Sequence, residues 1–411
     1  MYKKVKACRI CGNPNLKLFL TLGNIPLPNG FLTKNQLSKP EKYFPLNACL
    51  CEKCGLVQLQ EIVNPNEMFK NYVYIPSTSK TRMNNFSEIA EYANKNFKLN
   101  HNSLVIDIGS NDGSLLSYFK GYGIKTLGID PAVNLAKIAE LKGITTINNY
   151  ITPVLAKKIY KKYGQANVIT ATNVVAHIDN LYDLFKSVEI LLGVNGVFIC
   201  EFPYLLDLIK NNQFDTIYHE HLSYFSIKPL IKLTSRVNLE LFDVFRSNID
   251  GGSLRVVFKK KNIKLEINAK IKKLLDNENN YGLYNFSTYQ KFAKRVKHVS
   301  DNLQKTLKKI KKQGKTIAGY GAAAKGNILL NYCHINDKLI DYIVDSTPYK
   351  QGLFTPGTHI PIFPEAEIMK TKPDYILILA WNFAFEIMDK EKKYKVQGGK
   401  FIIPVPKVTI N

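Results

Sequence analysis

The densest chemistry in this sequence lies in eight residues, Tyr218-His219-Glu220-His221-Leu222-Ser223-Tyr224-Phe225. Histidine, glutamate and tyrosine are the types that take up or give a proton, so the segment points to general acid–base work, with His221 the natural acceptor and Tyr218 or Glu220 assisting. His219-x-His221 could instead bind a metal, but no third ligand is evident and an H-E-x-x-H pattern is absent. A buried or surface role without chemistry is the plain alternative. A further histidine, His177 in Asn173-Val-Val-Ala-His177-Ile-Asp179, stands at the end of an expected strand. Its type and place suit a structural histidine as well as a reacting one.

The second cluster is sulfur. Seven cysteines lie at 8, 11, 49, 51, 54, 200 and 333, five of them in the first 54 residues. Cys8-Arg-Ile-Cys11-Gly12 and Cys51-Glu-Lys-Cys54-Gly55 are two C-x-x-C-G turns. Each turn puts two thiolates on one side of an ion, and the glycine lets the backbone close. Two turns make a four-thiolate site for zinc, with no open position, so the metal is structural. A redox pair is the weaker reading, and Cys49 is a spare. The 39 residues between the turns, with Pro26, Pro28, Pro40 and Pro45, read as loop-rich.

The elements that must position these groups alternate. A helix over 84–97 precedes a buried strand, Leu104–Ile108, which runs into Gly109-Ser110-Asn111-Asp112-Gly113 and a helix. Strand 126–130 ends in Asp130, 23 residues after Asp107. Helix 131–142, strand 144–147, helix 152–162, strand 166–172, helix 180–192 and strand 196–202 follow. Such βαβ repetition predicts an α/β fold with a doubly wound parallel sheet that binds its ligand at the strands' carboxyl ends. The loop is not the three-glycine dinucleotide fingerprint, and its Asn and Asp suit a ligand without phosphate. S-adenosylmethionine fits best, with NAD or a structural turn as the alternatives: its cationic end is attracted to Asp107 and Asp112, and its ribose hydroxyls to Asp130. Strands 237–245 and 253–259 flank Asp250-Gly-Gly and read as an antiparallel sheet edge. A charged helix over 284–312 leads to a second βαβ unit. There strand 315–320 and Gly321-Ala-Ala-Ala-Lys325-Gly open a helix, strand 339–344 ends in Asp345, strand 374–380 follows, and 399–404 closes the unit. Free amides at that helix start, with Lys325, suit a phosphate; a structural glycine turn is the alternative.

Composition limits the classes. The 411 residues are 45% hydrophobic and 22% charged, an ordinary globular balance. No apolar run reaches the roughly 20 residues of a membrane span, and the first residues carry no secretory pattern. A cytoplasmic enzyme with no membrane partner is expected. The net charge of +24 invites a nucleic-acid reading. It is weakened by 51 Lys against 6 Arg, and by placement: residues 251–315 hold 18 Lys/Arg and 4 Asp/Glu. A solvated helix face explains that stretch, and no nucleic-acid partner is expected.

Taken in order, the two C-x-x-C-G turns, V-I-D-I-G-S-N-D-G-S-L-L, N-V-V-A-H-I, Y-H-E-H-L-S-Y-F, Gly-Gly-Ser-Leu-Arg255 and G-Y-G-A-A-A-K-G resemble a known family over nearly the whole chain. It is the zinc-containing, S-adenosylmethionine-dependent C-methyltransferases of nucleotide-linked keto-deoxysugars. The resemblance implies a zinc-binding domain over 1–68, a Rossmann-like class I methyltransferase domain over 69–260, and a Rossmann-like C-terminal domain over 261–411 that contributes to nucleotide-sugar binding. It implies zinc on Cys8, Cys11, Cys51 and Cys54. The cofactor falls to Asp107, Gly109, Ser110, Asn111, Gly113, Asp130 and Asn173. Catalysis falls to His221, Tyr218, Glu220, His177 and Tyr72, and substrate contacts to Tyr74, Ser77, Ser79, Tyr224, Arg255 and Lys325. In Tyr72-Val-Tyr74-Ile-Pro-Ser77-Thr-Ser79 one tyrosine and one serine reach the site. Asp250 stands where the family often has histidine, which bears on a local substrate contact. The expected partner is a nucleotide-diphosphate sugar. O- or N-methylation of such a molecule is the competing reading.

The cysteine assignment predicts metal content directly. Cys8→Ser and Cys51→Ser should each lose most of the one zinc per chain measured by atomic absorption, whereas Cys49→Ser should keep it.

Overall fold

The computed structural model describes residues 2–70, 72–261, 263 and 266–411. The first part carries β1 (Tyr2–Lys4), β2 (Lys17–Pro26), β3 (Tyr43–Leu50), β4 (Val57–Leu59) and β5 (Glu61–Val63). Both C-x-x-C turns close as expected: Gly12 N donates to Cys8 O at 2.9 Å and Gly55 N to Cys51 O at 2.7 Å, with φ of 69° and 80°. The four Sγ atoms lie within 4.8 Å of one another. Tetrahedral bonds of about 2.3 Å place thiolates about 3.8 Å apart, so the cluster fits zinc. Cys49 lies in β3, paired across to Leu18 and Gln58.

The stretch between the knuckles keeps a loop over 27–42 but is strand on either side of it. It is a long hairpin, β2 against β3. Pro26 is the last residue of its strand, and Pro45 pairs with Asn24 beside a break in register. A missing N–H matters least at such places, so prolines here punctuate strands instead of excluding them.

The central sheet contains β6 (Leu104–Ile108), β7 (Lys125–Ile129), β8 (Thr146–Ile147), β9 (Ala166–Thr172) and β10 (Leu192–Pro203). Two residues, β11 (Ser223–Tyr224), leave this domain altogether. The hairpin β12 (Leu239–Ser247) and β13 (Ser253–Lys260) completes the sheet in the order β12-β13-β10-β9-β6-β7-β8. β8, β7, β6, β9 and β10 run parallel, as the βαβ alternation predicts, and helices such as Pro153–Tyr163 and Leu181–Leu191 link them. Only β13 opposes β10; β12 opposes β13 and so runs with the rest. The expected antiparallel edge is therefore one reversed strand inside the sheet. Every residue of β6 is buried, which its apolar run requires in a sheet covered on both faces.

β11 pairs antiparallel with β4, giving a second sheet in the order β11-β4-β3-β2. The acid–base segment thus ends in a strand of the zinc module's sheet.

Beyond β13, helix Phe286–Lys312 buries Tyr289, Phe292, Val296, Val299, Leu303, Leu307 and Ile310 along one stripe. The stripe recurs every three to four residues, and its lysines face outward. Tyr289 packs on Phe19 of β2, ring centroids 4.7 Å apart. The last sheet holds β14 (Ile317–Tyr320), β15 (Tyr342–Val344), β16 (Ile362–Phe363), β17 (Tyr375–Ile378), β18 (Lys400–Ile403) and β19 (Thr409–Ile410). Its order is β16-β15-β14-β17-β18-β19, parallel except for β19. Among the described residues no helix is long and apolar enough to cross a membrane.

Candidate active site

The turn after β6 is shaped by close approach. Gly109 has φ of 71°, and a Cβ there would overlap the side chain of Val174. Asn111 and Gly113 also have positive φ, and helix Ser114–Gly121 starts from Gly113. Asp130, at the end of β7, accepts from Asn111 N and from Ala132 N, each at 2.8 Å. Each carboxylate oxygen keeps a second lone pair, so two ribose hydroxyls can be taken. Pro131 therefore lies outside its helix, which runs Val133–Leu141. Asp107 is buried under Thr170 Oγ1, 2.6 Å away, and burial pushes its carboxyl up to about 7. Ser110 Oγ is buried without a partner; a Cβ on Gly128 would stand 2.5 Å from it.

Asp112 does not offer free negative charge to a cationic ligand. Its carboxylate is fully buried and ion-paired to Lys142 at 2.8 Å, and it caps Ser114 N. The attraction expected of it is answered by Lys142.

Segment 72–79 crosses this end of the sheet. Tyr72 and Asn134 exchange backbone–side-chain hydrogen bonds, and Asn111 Nδ2 donates to Tyr74 O at 3.0 Å. Of the two tyrosines, Tyr72 reaches the acid–base segment: its hydroxyl donates to Glu220 Oε2 at 2.8 Å. Tyr74 is an exposed side chain. Ser79 caps helix Lys80–Asn96, and Ser77 stands near enough to Asp112 to favour its ionised form.

Around Tyr218–Tyr224 the geometry is specific. Leu222 N donates to Ala176 O at 2.8 Å, and Leu222 O accepts from Leu59 N and Arg9 Nη1, each at 3.0 Å. Arg9 lies inside the first knuckle turn and also pairs with Asp179. His219 turns away, its Nε2 against Phe44 O of β3 at 3.2 Å. His221 turns inward between Tyr218 and His177, with ring centroids 3.9 and 5.1 Å away; Tyr224 lies 6.3 Å off. His177 also stacks on Phe69 at 5.4 Å.

Protonation states follow from these contacts. His221 Nδ1 lies 2.9 Å from Thr216 O. A carbonyl only accepts, so Nδ1 carries the hydrogen and Nε2 keeps its lone pair. Burial, then the neighbouring His177, hold the His221 pKa well below its ordinary value, so the ring is neutral. Burial also takes His177 down to about 4, and its Nε2 is buried without a partner. Burial pushes the Glu220 carboxyl up to about 7, against donation from Tyr72 and Asn29. Tyr218 is held well above its usual range by burial and by Glu220, so it stays a donor. The cluster can thus accept a proton at Nε2 and donate one from a phenol.

Some participants carried no signal in the sequence. Asn29 Nδ2 donates to Glu220 Oε1 at 2.6 Å from the β2–β3 connection, while Asn327 Nδ2 holds Pro28 O at 2.6 Å. A Pro-Asn-Gly turn is the only hint. Asn173 donates to Asp250 at 3.1 Å, and Arg82 Nη2 grips both Asp250 oxygens at 2.7 and 2.8 Å. Arg82 holds that carboxyl below its usual range although burial opposes it. Arg255 binds Glu201 at 3.0 Å and Asn85 at 2.7 Å, within the β10–β13 pairing. Lys325 donates inward to Asp250 O at 2.8 Å and lies 5.1 Å over the Trp381 ring.

Comparison with known proteins agrees with this arrangement. Three family models match in order: a zinc binding domain over 8–69, a methyltransferase domain over 81–244, and a C-methyltransferase C-terminal domain over 248–406. C-methyltransferase NovU of Streptomyces niveus is 34% identical over 404 residues, covering 98% of this chain and 96% of that one. Among solved structures, a SAM-dependent methyltransferase from Anabaena variabilis is 15% identical with a TM-score of 0.36, over 47% of this chain and 97% of its own. Magnesium protoporphyrin IX methyltransferase of Synechocystis, with bound SAM, is 13% identical with a TM-score of 0.34, over 46% and 86%. At that level such a likeness identifies neither ligand nor substrate. The near-full-length relative and the four-cysteine module carry the assignment: the chain belongs to the zinc-binding, S-adenosylmethionine-dependent C-methyltransferases.

Proposed function

We propose that this enzyme methylates a carbon next to the ketone of a nucleotide-linked keto-deoxysugar, through an enolate, with His221 as the base. The observation that carries the reading is the neutral, buried His221 with its lone pair on Nε2. A sugar carbon becomes a nucleophile only once a proton is removed, and a neighbouring ketone makes that proton acidic enough for imidazole. S-adenosylmethionine, when bound, supplies the electrophilic methyl group. Residues 107–113, 130 and 173 would hold it at the ends of β6, β7 and β9, and the four cysteines would hold zinc away from the chemistry.

His221 Nε2 takes the α proton. Tyr218, a phenol kept neutral by its surroundings, donates to the enolate oxygen as charge develops. Glu220, poised near 7 between Tyr72 and Asn29, exchanges protons within the cluster. The diphosphate would lie at the start of helix Ala324–Tyr332, where the first helical amides lack intrahelical partners. The C-terminal domain would then hold the nucleotide and the central domain the cofactor, in the cytoplasm.

Two experiments bear on this reading. A screen of nucleotide-linked keto-sugars and their reduced forms with labelled S-adenosylmethionine should put the methyl on carbon only where a ketone is present. In deuterated water His221→Asn should slow both α-proton exchange and turnover by about a hundredfold or more. Methylation of reduced sugars on oxygen or nitrogen, or full exchange in His221→Asn, would contradict it. Tyr72→Phe removes a donor that lowers the Glu220 pKa. Glu220 should then ionise at higher pH, moving that limb of the kcat/KM profile upward, with turnover down by about tenfold. A limb that stays in place or moves down counts against the Tyr72–Glu220 pair.

A further inference from the structure

The hydrogen bond that fixes His221 ends on a turn whose own supports come from another part of the chain. Thr216 O belongs to the 3-10 turn Phe214–Thr216, which is fully buried. Trp381 Nε1, beyond β17, donates to Asp215 Oδ2 at 2.5 Å. Thr216 N donates to Gln213 O at 3.1 Å and Ile217 N to Phe214 O at 2.9 Å, which closes the turn. The indole thus fastens the turn through the side chain that immediately precedes Thr216. Asp215 Oδ1 is buried without a partner, so Trp381 is the side-chain donor on which this carboxylate relies. Phe214 packs on Tyr332 of helix Ala324–Tyr332, centroids 5.2 Å apart. Gln213 Nε2 donates to Gly251 O at 2.6 Å. A Cβ on Gly251 would stand 2.9 Å from the Trp381 ring, so indole and hairpin turn are in direct contact. Lys325 lies over the same indole and faces Asp215 with its charge.

The consequence concerns which ring nitrogen holds the hydrogen. A neutral histidine in water favours the Nε2–H form, which has no lone pair to offer at Nε2. The hydrogen bond to Thr216 O selects the opposite form. We propose that Asp215 and Trp381 are positioning residues that aim the Thr216 carbonyl and so hold His221 in its Nδ1–H tautomer. The C-terminal part of the chain thereby completes the base of the methyltransferase part. The functional consequence rests on His221 being the base; the tautomer itself does not.

Nitrogen-15 NMR of histidine-labelled, zinc-loaded, full-length protein tests this without substrate. The His221 resonances are assigned by their loss in His221→Asn. In the wild type Nδ1 should carry the hydrogen. In Trp381→Phe, which keeps an aromatic ring, and in the isosteric Asp215→Asn, the Nε2–H form should become populated. Turnover should fall by about tenfold or more, while zinc content and the Kd for S-adenosylmethionine stay within twofold of wild type. A wild-type Nε2–H tautomer overturns the proposal. So does an unchanged tautomer in either folded variant, even if KM for the sugar rises. A tautomer shift in an enzyme that proves to methylate no keto-sugar leaves the positioning role standing and removes the substrate reading instead.

Discussion

Two rungs of backbone pairing, Ser223 to Gln58 and Tyr224 to Val57, carry the rest of this structure. They fasten the acid–base segment to a strand that begins three residues after the last knuckle cysteine. Leu222 is the joint. Its N–H reaches Ala176, next to His177, and its carbonyl takes Leu59 N and the Arg9 guanidinium. Arg9 sits between Cys8 and Cys11, so closing the knuckle also aims this donor. Zinc on the four cysteines would thus bear on the placement of His221 through β4 and Arg9, at a distance from the acid–base groups.

The site is then an assembly from every part of the chain. The β2–β3 connection sends Asn29 to Glu220, and the crossing segment sends Tyr72 to its other oxygen. Asn173 follows the end of β9, and the chain leads on to His177. Helix Ala324–Tyr332 sends Lys325 and Asn327 inward. Burial is the common cause of the shifted groups: it keeps His177 and His221 neutral and lifts Glu220 toward neutrality. A carboxyl lifted to about 7 can exchange a proton near neutral pH, and an imidazole held neutral keeps its lone pair there.

Much of the fold could be read in advance because its signals are local. The β6–β10 alternation follows from apolar runs and intervening helical spacing, and the knuckles from two C-x-x-C-G turns. What escaped was long-range. Nothing in Ser223-Tyr224 tells that two residues will leave the central domain to pair 165 positions upstream. Pro26 and Pro45 read as loop because a strand's tolerance of proline depends on neighbours the sequence does not show. Asp112 looked available because Lys142, thirty residues on, was not in view. Asn29 and Asp215 are ordinary polar residues until the fold brings Glu220 and Trp381 to them.

The central claim is that zinc positions His221 through β4, and hydrogen exchange tests it most directly. Amide exchange should be followed by mass spectrometry in the zinc-loaded protein and after chelation. Zinc removal should speed exchange in 57–59 and 218–224 together, by about tenfold or more, while β6 and β9 stay protected and S-adenosylmethionine still binds. Protection of 218–224 that survives loss of the metal would contradict the account.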